Sequence, residues 1–118
     1  MSPTEAIILP HPGYVQDKHY TEYVDSVKAL KRDGNLVDAE ILLLKLVDAT
    51  EAEARAMGGG VAPWYYEQLA IIYRKQKRHA DEVSILERYE THEKGPGTGP
   101  DQLAHRLRTA RVLKQTVK

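Results

Sequence analysis

Histidine is the side chain of this sequence best suited to bind a metal or to transfer protons near neutral pH. The chain has five histidines, which are His11, His19, His79, His92 and His105. No two of them are three or four residues apart, the spacing that places two zinc ligands on one face of a helix. His92 is followed by Glu93, and adjacent residues point to different faces of a helix. The histidine pattern therefore predicts no metal site.

The sequence also lacks the usual motifs for a catalytic nucleophile or a bound phosphate. It has no cysteine, which excludes thiolate chemistry and disulfides. Ser26 and Ser84 lie within helical patterns, and neither belongs to a Gly-x-Ser-x-Gly motif. Residues 58–63 read GGGVAP, without the lysine and the hydroxyl residue of a phosphate-binding loop, so they predict a connector. The carboxylates are spread over helical faces, where solvation and ion pairing explain them. We therefore expect a protein that is not an enzyme and that needs no cofactor.

The composition is that of one globular domain. The chain has 118 residues, 42% of them hydrophobic and 29% charged, and its formal net charge is zero. A neutral chain has no general attraction for nucleic acid or membranes. The charge is unevenly distributed: residues 20–57 have five basic and eight acidic residues (net −3), and residues 101–118 have five basic and one acidic (net +4). We expect the basic C-terminal part to complement the acidic first half or a partner.

The sequence predicts a cytoplasmic protein. No apolar run reaches the length of a membrane span. The N-terminal residues MSPTEAIILPHPG lack the basic flank and the long apolar stretch of a signal peptide.

The elements that must position these residues are predicted to be helices. Prolines and a glycine interrupt the first residues, which predicts an extended N-terminal arm over residues 1–16. Beyond the arm, apolar residues recur every three or four positions, as in amphipathic helices. Asp17 is the expected first N-cap, and Pro63 and Pro100 are expected to open later helices. The predicted helices cover residues 17–33, 36–57, 63–77, 79–93 and 100–117.

The predicted fold class is all-α, with two antiparallel helical hairpins and a C-terminal capping helix. The third and fourth helices are joined by a short basic connection, so their apolar stripes must pack against each other. The first and second helices follow the same logic. The fifth helix has a single apolar stripe and a polar face, which is typical of a helix that closes a stack. The stripes of the hairpin formed by the third and fourth helices are Tyr66, Leu69, Ala70 and Tyr73, then Val83, Leu86 and Tyr89.

The two hairpins align as an internal repeat when Gly34 is set against Lys77, a spacing of 43 residues. The first unit supplies Tyr23, Leu30, Gly34, Ala39 and Leu43. The second supplies Tyr66, Leu69, Ala70, Tyr73 and Leu86. Over residues 20–93 this pattern resembles the tetratricopeptide repeat (TPR) family, although the family spacing is about 34 residues. Glu82 occupies a position where the family has a small residue. The whole chain also looks like small repeat proteins of actinobacteria and their phages.

The resemblance implies a short TPR-like solenoid in which the first helix of each pair lines an inner groove. The family's groove positions correspond here to Thr21, Val24, Lys28, Lys31, Arg32, Trp64, Glu67, Ile71, Arg74 and Lys75. Five of these ten are cationic, and Trp64 is a large anchor of the kind found at binding hot spots. The resemblance therefore implies an adaptor, a protein-interaction module whose groove holds a partner peptide with acidic residues or a free carboxylate. The expected contacts are Lys28, Lys31, Arg32, Trp64, Glu67, Ile71, Arg74 and Lys75.

Three other interpretations stay open. The groove cations can simply complement the carboxyl ends of their helices. The chain can self-associate, as a homodimer for example, through Ile41 and Leu44 of the second helix and residues 7–9 of the arm. The basic fifth helix can bind nucleic-acid phosphates, or it can cover the acidic second helix instead. The cations of that interpretation are Arg106, Arg108, Arg111, Lys114 and Lys118, with Lys77 and Arg78 nearby.

Overall fold

The computed structural model of the protein describes residues 11–116, and this part of the chain is mostly helical. The predicted all-α class is confirmed, with one small sheet added before the first helix. The N-terminal ten residues of the predicted arm, and the last two residues of the chain, lie outside the described residues. The elements are β1 (Tyr14–Val15), β2 (Lys18–His19), a 3₁₀ helix (Tyr20–Tyr23), α1 (Val24–Arg32), α2 (Leu36–Met57), α3 (Pro63–Lys75), α4 (His79–Glu90) and α5 (Gly99–Thr116).

The first α-helix begins at Val24, seven residues later than the predicted start at residue 17. β1 and β2 pair as an antiparallel hairpin, so the chain before the helix is not a simple extended arm. The N-cap of the 3₁₀ helix is His19 and not Asp17, because the His19 side chain accepts a hydrogen bond from the backbone N–H of Thr21. Glu22 completes the cap by accepting from the His19 N–H at 3.3 Å. These local hydrogen bonds favour a hairpin and a tight 3₁₀ turn over a longer α-helix.

The turns after α1 and α3 have the same geometry. Each contains one residue with positive φ, Gly34 at +77° and Lys77 at +59°. In both turns the N–H of this residue donates to the carbonyl three residues earlier, at 3.1 and 3.0 Å. The N–H of the next residue donates to the carbonyl five residues earlier, at 2.8 Å in both. This pair of bonds is the Schellman motif of helix ends. The structure therefore repeats at these turns with the 43-residue spacing that the aligned sequence predicts.

Each helix packs against the next one along the chain, and α5 also contacts α3. The described residues therefore form a layered arrangement that measures 59 × 32 × 25 Å. The predicted stripes of α3 and α4 are confirmed as core, because all seven of their residues are buried. α5 adds a smaller buried stripe. Its buried residues are Leu103, Leu107 and Ala110.

The glycine-rich connector between α2 and α3 lies against the connector between α4 and α5. The N–H of Val61 donates to the carbonyl of Glu93 at 3.3 Å. A Cβ atom on Gly60 would lie only 2.3 Å from the backbone nitrogen of Gly95, so no larger residue fits there. The two glycines before Gly60 have φ of 81° and 89°. The connector predicted from the sequence is thus explained by left-handed backbone and one close approach.

Candidate partner-binding surface

The eight predicted contact residues lie on α1 and α3, which are adjacent in the structure. The Lys31 ammonium group donates a hydrogen bond to Oε1 of Gln68 on α3. Near the start of α3, the Tyr65 hydroxyl donates to the carbonyl of Tyr20, in the 3₁₀ helix that precedes α1, at 3.2 Å. We call this surface the α1–α3 face. It consists of Lys28, Lys31, Arg32, Trp64, Glu67, Ile71, Arg74 and Lys75.

Four of the five cations of the α1–α3 face give it its charge, because the fifth, Arg74, is paired with Glu82. Lys28, Arg32 and Lys75 are exposed, and Lys31 is half-buried. Burial and the nearby positive charge of Lys75 lower the pKa of Lys31, whereas Glu67 raises it. The Lys31 ammonium group bonds Gln68, which lies on the same side of α3 as Lys75 and two turns before it. An anion bound between the two lysines would offset the positive charge of both.

Two apolar side chains lie on the same face of α3. Trp64 and Ile71 are half-buried. The Trp64 ring packs edge-on against Tyr65, with ring centroids 5.0 Å apart, and Tyr65 packs edge-on against Tyr20 at 5.3 Å. Trp64 is thus held by neighbouring aromatic rings, which is how a rigid anchor for a ligand is built.

Arg74, predicted as a groove cation, is instead an ion-pair partner of a buried carboxylate. Glu82 on α4 is 0% exposed. Arg74 contacts it twice, with Nη2 2.7 Å from Oε2 and Nε 3.2 Å from Oε1. Nη1 of Arg106 on α5 lies 3.7 Å from the same carboxylate. The charge of Arg74 therefore compensates Glu82, since an unpaired buried carboxylate is strongly unfavourable.

A cleft of about 650 Å³ separates α3 from α5 above this ion pair. It contains acidic as well as basic side chains, so it is less suited to a purely anionic ligand than the α1 side of the face. The sequence reasoning missed the role of Glu82, although its presence at a position expected to be small was the signal. It also missed Gln68 and the contribution of Arg106 to the site. The cleft is lined by Glu67, Arg74, Asp101, Gln102, His105, Arg106 and Thr109.

On α2, the most buried acidic residue is Glu51, which belongs to a structural cluster. Its carboxylate accepts hydrogen bonds from the Tyr66 hydroxyl at 2.8 Å and from Arg88 Nη2 at 2.7 Å. His92 Nε2 lies 3.1 Å away. Burial raises the pKa of Glu51, but Arg88, Tyr66 and His92 outweigh it, and the pKa lies below its ordinary value. The cluster joins α2 to both helices of the second hairpin.

Glu40, near the start of α2, forms a similar cluster. It accepts from Arg78 Nη1 at 2.7 Å and from the Tyr73 hydroxyl at 3.1 Å. The hydrogen bond from Arg78 is the main reason that the pKa of Glu40 lies below its ordinary value. Arg78 precedes α4 and Arg88 lies in its last turn, so Glu40, Asp48 and Glu51 of α2 are paired with cations of the second hairpin. The expectation that α5 covers the acidic α2 is therefore wrong.

The cations proposed for nucleic-acid binding are partly used within the chain. Arg78 bonds Glu40, Arg106 faces Glu82, and Arg111 lies 3.1 Å from Glu87. Lys118 lies outside the described residues. The exposed cations that remain in this set are Lys77, Arg108 and Lys114.

The residues predicted for self-association differ in their exposure. Ile41 is 51% exposed, and Val37, one turn earlier, is 68% exposed. Leu44 is half-buried and packs against the core. Residues 7–9, the other half of that proposed contact, lie outside the described residues.

The remaining histidines and acids do not assemble into a cation site. Among residues 11–116, no group of three histidine or carboxylate side chains could hold a metal ion. His79 is half-buried, with Nδ1 4.0 Å from the Glu82 carboxylate. In the same part of the chain, none of the helices has the length and apolar character needed to span a membrane.

No protein-family model, no curated protein and no solved structure matches this chain. The resemblance to the TPR family therefore depends on the residues quoted for it.

Proposed function

We propose that this protein is a non-enzymatic protein-interaction module whose α1–α3 face binds an acidic segment of a partner protein. We propose further that the two hairpins and α5 stack as a short TPR-like solenoid, with α1 and α3 on its inner side. The identical turns after α1 and α3 support this arrangement. So do the packing of each helix on the next and the contact between α3 and α5.

The observation that carries the binding proposal is an excess of positive charge on the α1–α3 face. Lys31, Arg32 and Lys75 lie in the last turns of their helices, where cations complement the helix dipole. Each helix end amounts to about half a negative charge, so two ends account for about one. Glu67 accounts for one more, and so does Asp25, which is exposed on the same side of α1 as Arg32. The four cations other than Arg74 exceed that sum of about three, and complementing the helices therefore does not explain all of them.

The test is capture of partners from source-cell lysate by the immobilised protein, with and without nuclease. The informative variant is Lys28→Glu/Lys75→Glu, because both side chains are exposed and their reversal leaves the core intact. The matched control is Lys45→Glu/Arg55→Glu, which reverses two exposed cations of α2 away from the face. Circular dichroism would verify that both variants fold.

We expect the wild type and the control to capture the same protein and the face variant to lose it. Capture that is equal in all three chains would contradict the proposal. Partners that disappear on nuclease treatment would move the function to the exposed cations of α5 and its neighbour Lys77.

A further inference from the structure

We propose that the segment bound by the α1–α3 face is an extended peptide in which a bulky apolar side chain lies about five residues from an aspartate or glutamate. The apolar side chain contacts Trp64, and the acidic one lies beside Lys75 and near Lys31. This inference rests on the proposed function and adds the chemistry and spacing of the partner segment.

One line of α3 side chains changes from apolar to cationic along the helix. Trp64 lies near the start of α3 and Lys75 is its last residue. Eleven residues at 100° each bring Lys75 to within about 20° of Trp64 around the helix axis. Ile71, seven residues after Trp64, lies about 20° to the other side. A ligand lying along this line meets an apolar surface first and a positive charge last.

The apolar end of this line consists of aromatic rings that pack against their neighbours. Trp64 packs edge-on against Tyr65, Tyr65 packs edge-on against Tyr20, and His19 packs against Tyr20 with ring centroids 4.3 Å apart. Trp64 is half-buried, so part of its ring is held by the protein and part is accessible. A rigid, partly accessible indole binds an apolar side chain at a low cost in conformational entropy.

The cationic end has contributions from both helices. The Lys31 ammonium group from α1 donates a hydrogen bond to Gln68, which lies on the same side of α3 as Lys75 and two turns before it. Burial, together with the positive charge of Lys75, lowers the pKa of Lys31. Lys28 and Arg32 are three residues before and one residue after Lys31 on the same exposed side of α1. A carboxylate placed between Lys31 and Lys75 would be attracted by all four cations.

The distance between the two ends sets the spacing in the ligand. Eleven residues of α-helix rise about 16 Å. An extended peptide advances about 3.3 to 3.6 Å per residue, so about five residues span the same distance. A free C-terminal carboxylate is not needed in this arrangement, because a side-chain carboxylate reaches the lysines.

The experiment uses a panel of fluorescent peptides, capped at both ends so that they carry no terminal charge. Each peptide has one phenylalanine and one pair of aspartates in a Gly/Ser background, separated by one to nine residues, in both orders. Affinity for the full chain is measured by fluorescence anisotropy at low salt. We expect the best binding at a spacing of about five residues, about tenfold tighter than at the extremes. A matched peptide with the phenylalanine replaced by serine should bind about tenfold more weakly.

Two variants test which end of the face binds the apolar side chain and which binds the acidic one. Trp64→Ala should remove the dependence on spacing but keep the preference for aspartate, and Lys75→Gln should weaken every aspartate peptide. The spacing dependence is read in the wild-type chain, so the test holds even if Trp64→Ala folds poorly. Aspartate peptides that bind equally at all spacings would overturn this inference and leave the proposed function standing. Peptides that do not bind at all, or a short oligothymidylate that binds more tightly than any of them, would overturn both.

Discussion

The ion pair between Arg74 and Glu82 shows how the site and the core share residues. Glu82 is fully buried on α4, and its partner Arg74 is one of the residues of the α1–α3 face. Removing one partner of a buried pair is costly, because the other charge remains without compensation. The charge of Arg74 therefore compensates Glu82 and stabilises the fold at the binding face. It is less available to a ligand than the charges of the exposed cations.

Replacing Arg74 by alanine is expected to lower the free energy of unfolding by about 3 kcal/mol. Arg106, which is 3.7 Å from Glu82, compensates only part of the loss. Urea denaturation followed by circular dichroism would measure the change. The matched control is Lys75→Ala, an exposed neighbour, which should stay within about 0.5 kcal/mol of the wild type. Equal stabilities of the two variants would show that Arg74 does not support Glu82. The double variant Arg74→Ala/Glu82→Ala should be more stable than Arg74→Ala, since no buried charge is left.

The carboxylates of Glu40 and Glu51 make the fold sensitive to acid. Their pKa values lie below the ordinary value of 4.5 in the folded chain. The stability that they contribute is therefore present above that pH and is lost as the pH falls through the lowered pKa. We expect the free energy of unfolding to decrease below pH about 4.5, with a smaller decrease in Glu51→Gln. Denaturant titrations at several pH values would measure this. An identical acid profile in the variant would contradict the assignment.

The helix ends explain how much of the chain could be predicted from its sequence. The start of α2 at residue 36 and of α3 at residue 63 agree with the prediction, because glycine and proline mark helix ends. The β-hairpin before α1 was not predicted. The 3₁₀ helix that follows it includes Tyr20 and Tyr23, whose spacing matches an α-helix, while the stability of the hairpin depends on distant groups. His19 Nε2, for example, contacts Glu53 on α2 at 2.7 Å. A local pattern contains no information about such a contact.

The side-chain contacts of the binding face likewise could not be predicted from a local sequence pattern. The sequence pattern predicted Arg74 on the inner side of α3. Periodicity alone did not predict that its guanidinium group would pair with the Glu82 carboxylate. Conversely, Lys31 and Lys75 were predicted on one face, but the hydrogen bond from Lys31 on α1 to Gln68 on α3 was not predicted. Side chains on one helix are predictable from spacing, whereas ion pairs between helices are not.

Lys77 has a conformation that glycine adopts more easily. Its φ is +59°, at the position equivalent to Gly34 in the first turn. A non-glycine residue in the left-handed region costs about 1 kcal/mol. Lys77→Gly is therefore expected to raise the free energy of unfolding by about 0.5 kcal/mol after the entropy of the unfolded glycine is included. Gly34→Ala should lower it by about 1 kcal/mol.

Thermal denaturation of both variants would test the equivalence of the two turns. Ala80→Gly is a matched control for Lys77→Gly, because Ala80 is exposed in the first turn of α4, where glycine only destabilises. If Lys77→Gly lowers the melting temperature as Ala80→Gly does, the turn after α3 does not need the left-handed conformation.

In the molecule as a whole, the two sides of α3 have different roles. Towards α5, charges of both signs are paired across a cleft and hold the helices together. Towards α1, four cations outnumber Glu67 on the exposed part of the α1–α3 face. The neutral net charge of the whole chain conceals this local excess, and for this reason composition alone does not reveal the face.

Binding at this face should weaken as salt is added. The Debye length falls from about 10 Å at 0.1 M to about 3 Å at 1 M salt, which screens exposed lysines from a ligand carboxylate. We expect the affinity of an aspartate peptide to fall about tenfold over this range in the wild type, and less in Lys28→Glu/Lys75→Glu. Anisotropy titrations at several salt concentrations would measure the slope. A salt-independent affinity would contradict an electrostatic role for the four cations.

Trp64 provides the most direct measurement, because it is the only tryptophan in the chain and lies on the proposed binding face. Its emission is recorded while the tightest peptide of the phenylalanine–aspartate panel is added to the wild type, to Lys28→Glu/Lys75→Glu and to the control Lys45→Glu/Arg55→Glu. Binding at the α1–α3 face predicts a saturable change in the wild type and the control, and little or no change in the face variant. The same saturable change in all three chains, or none in the wild type, would contradict it.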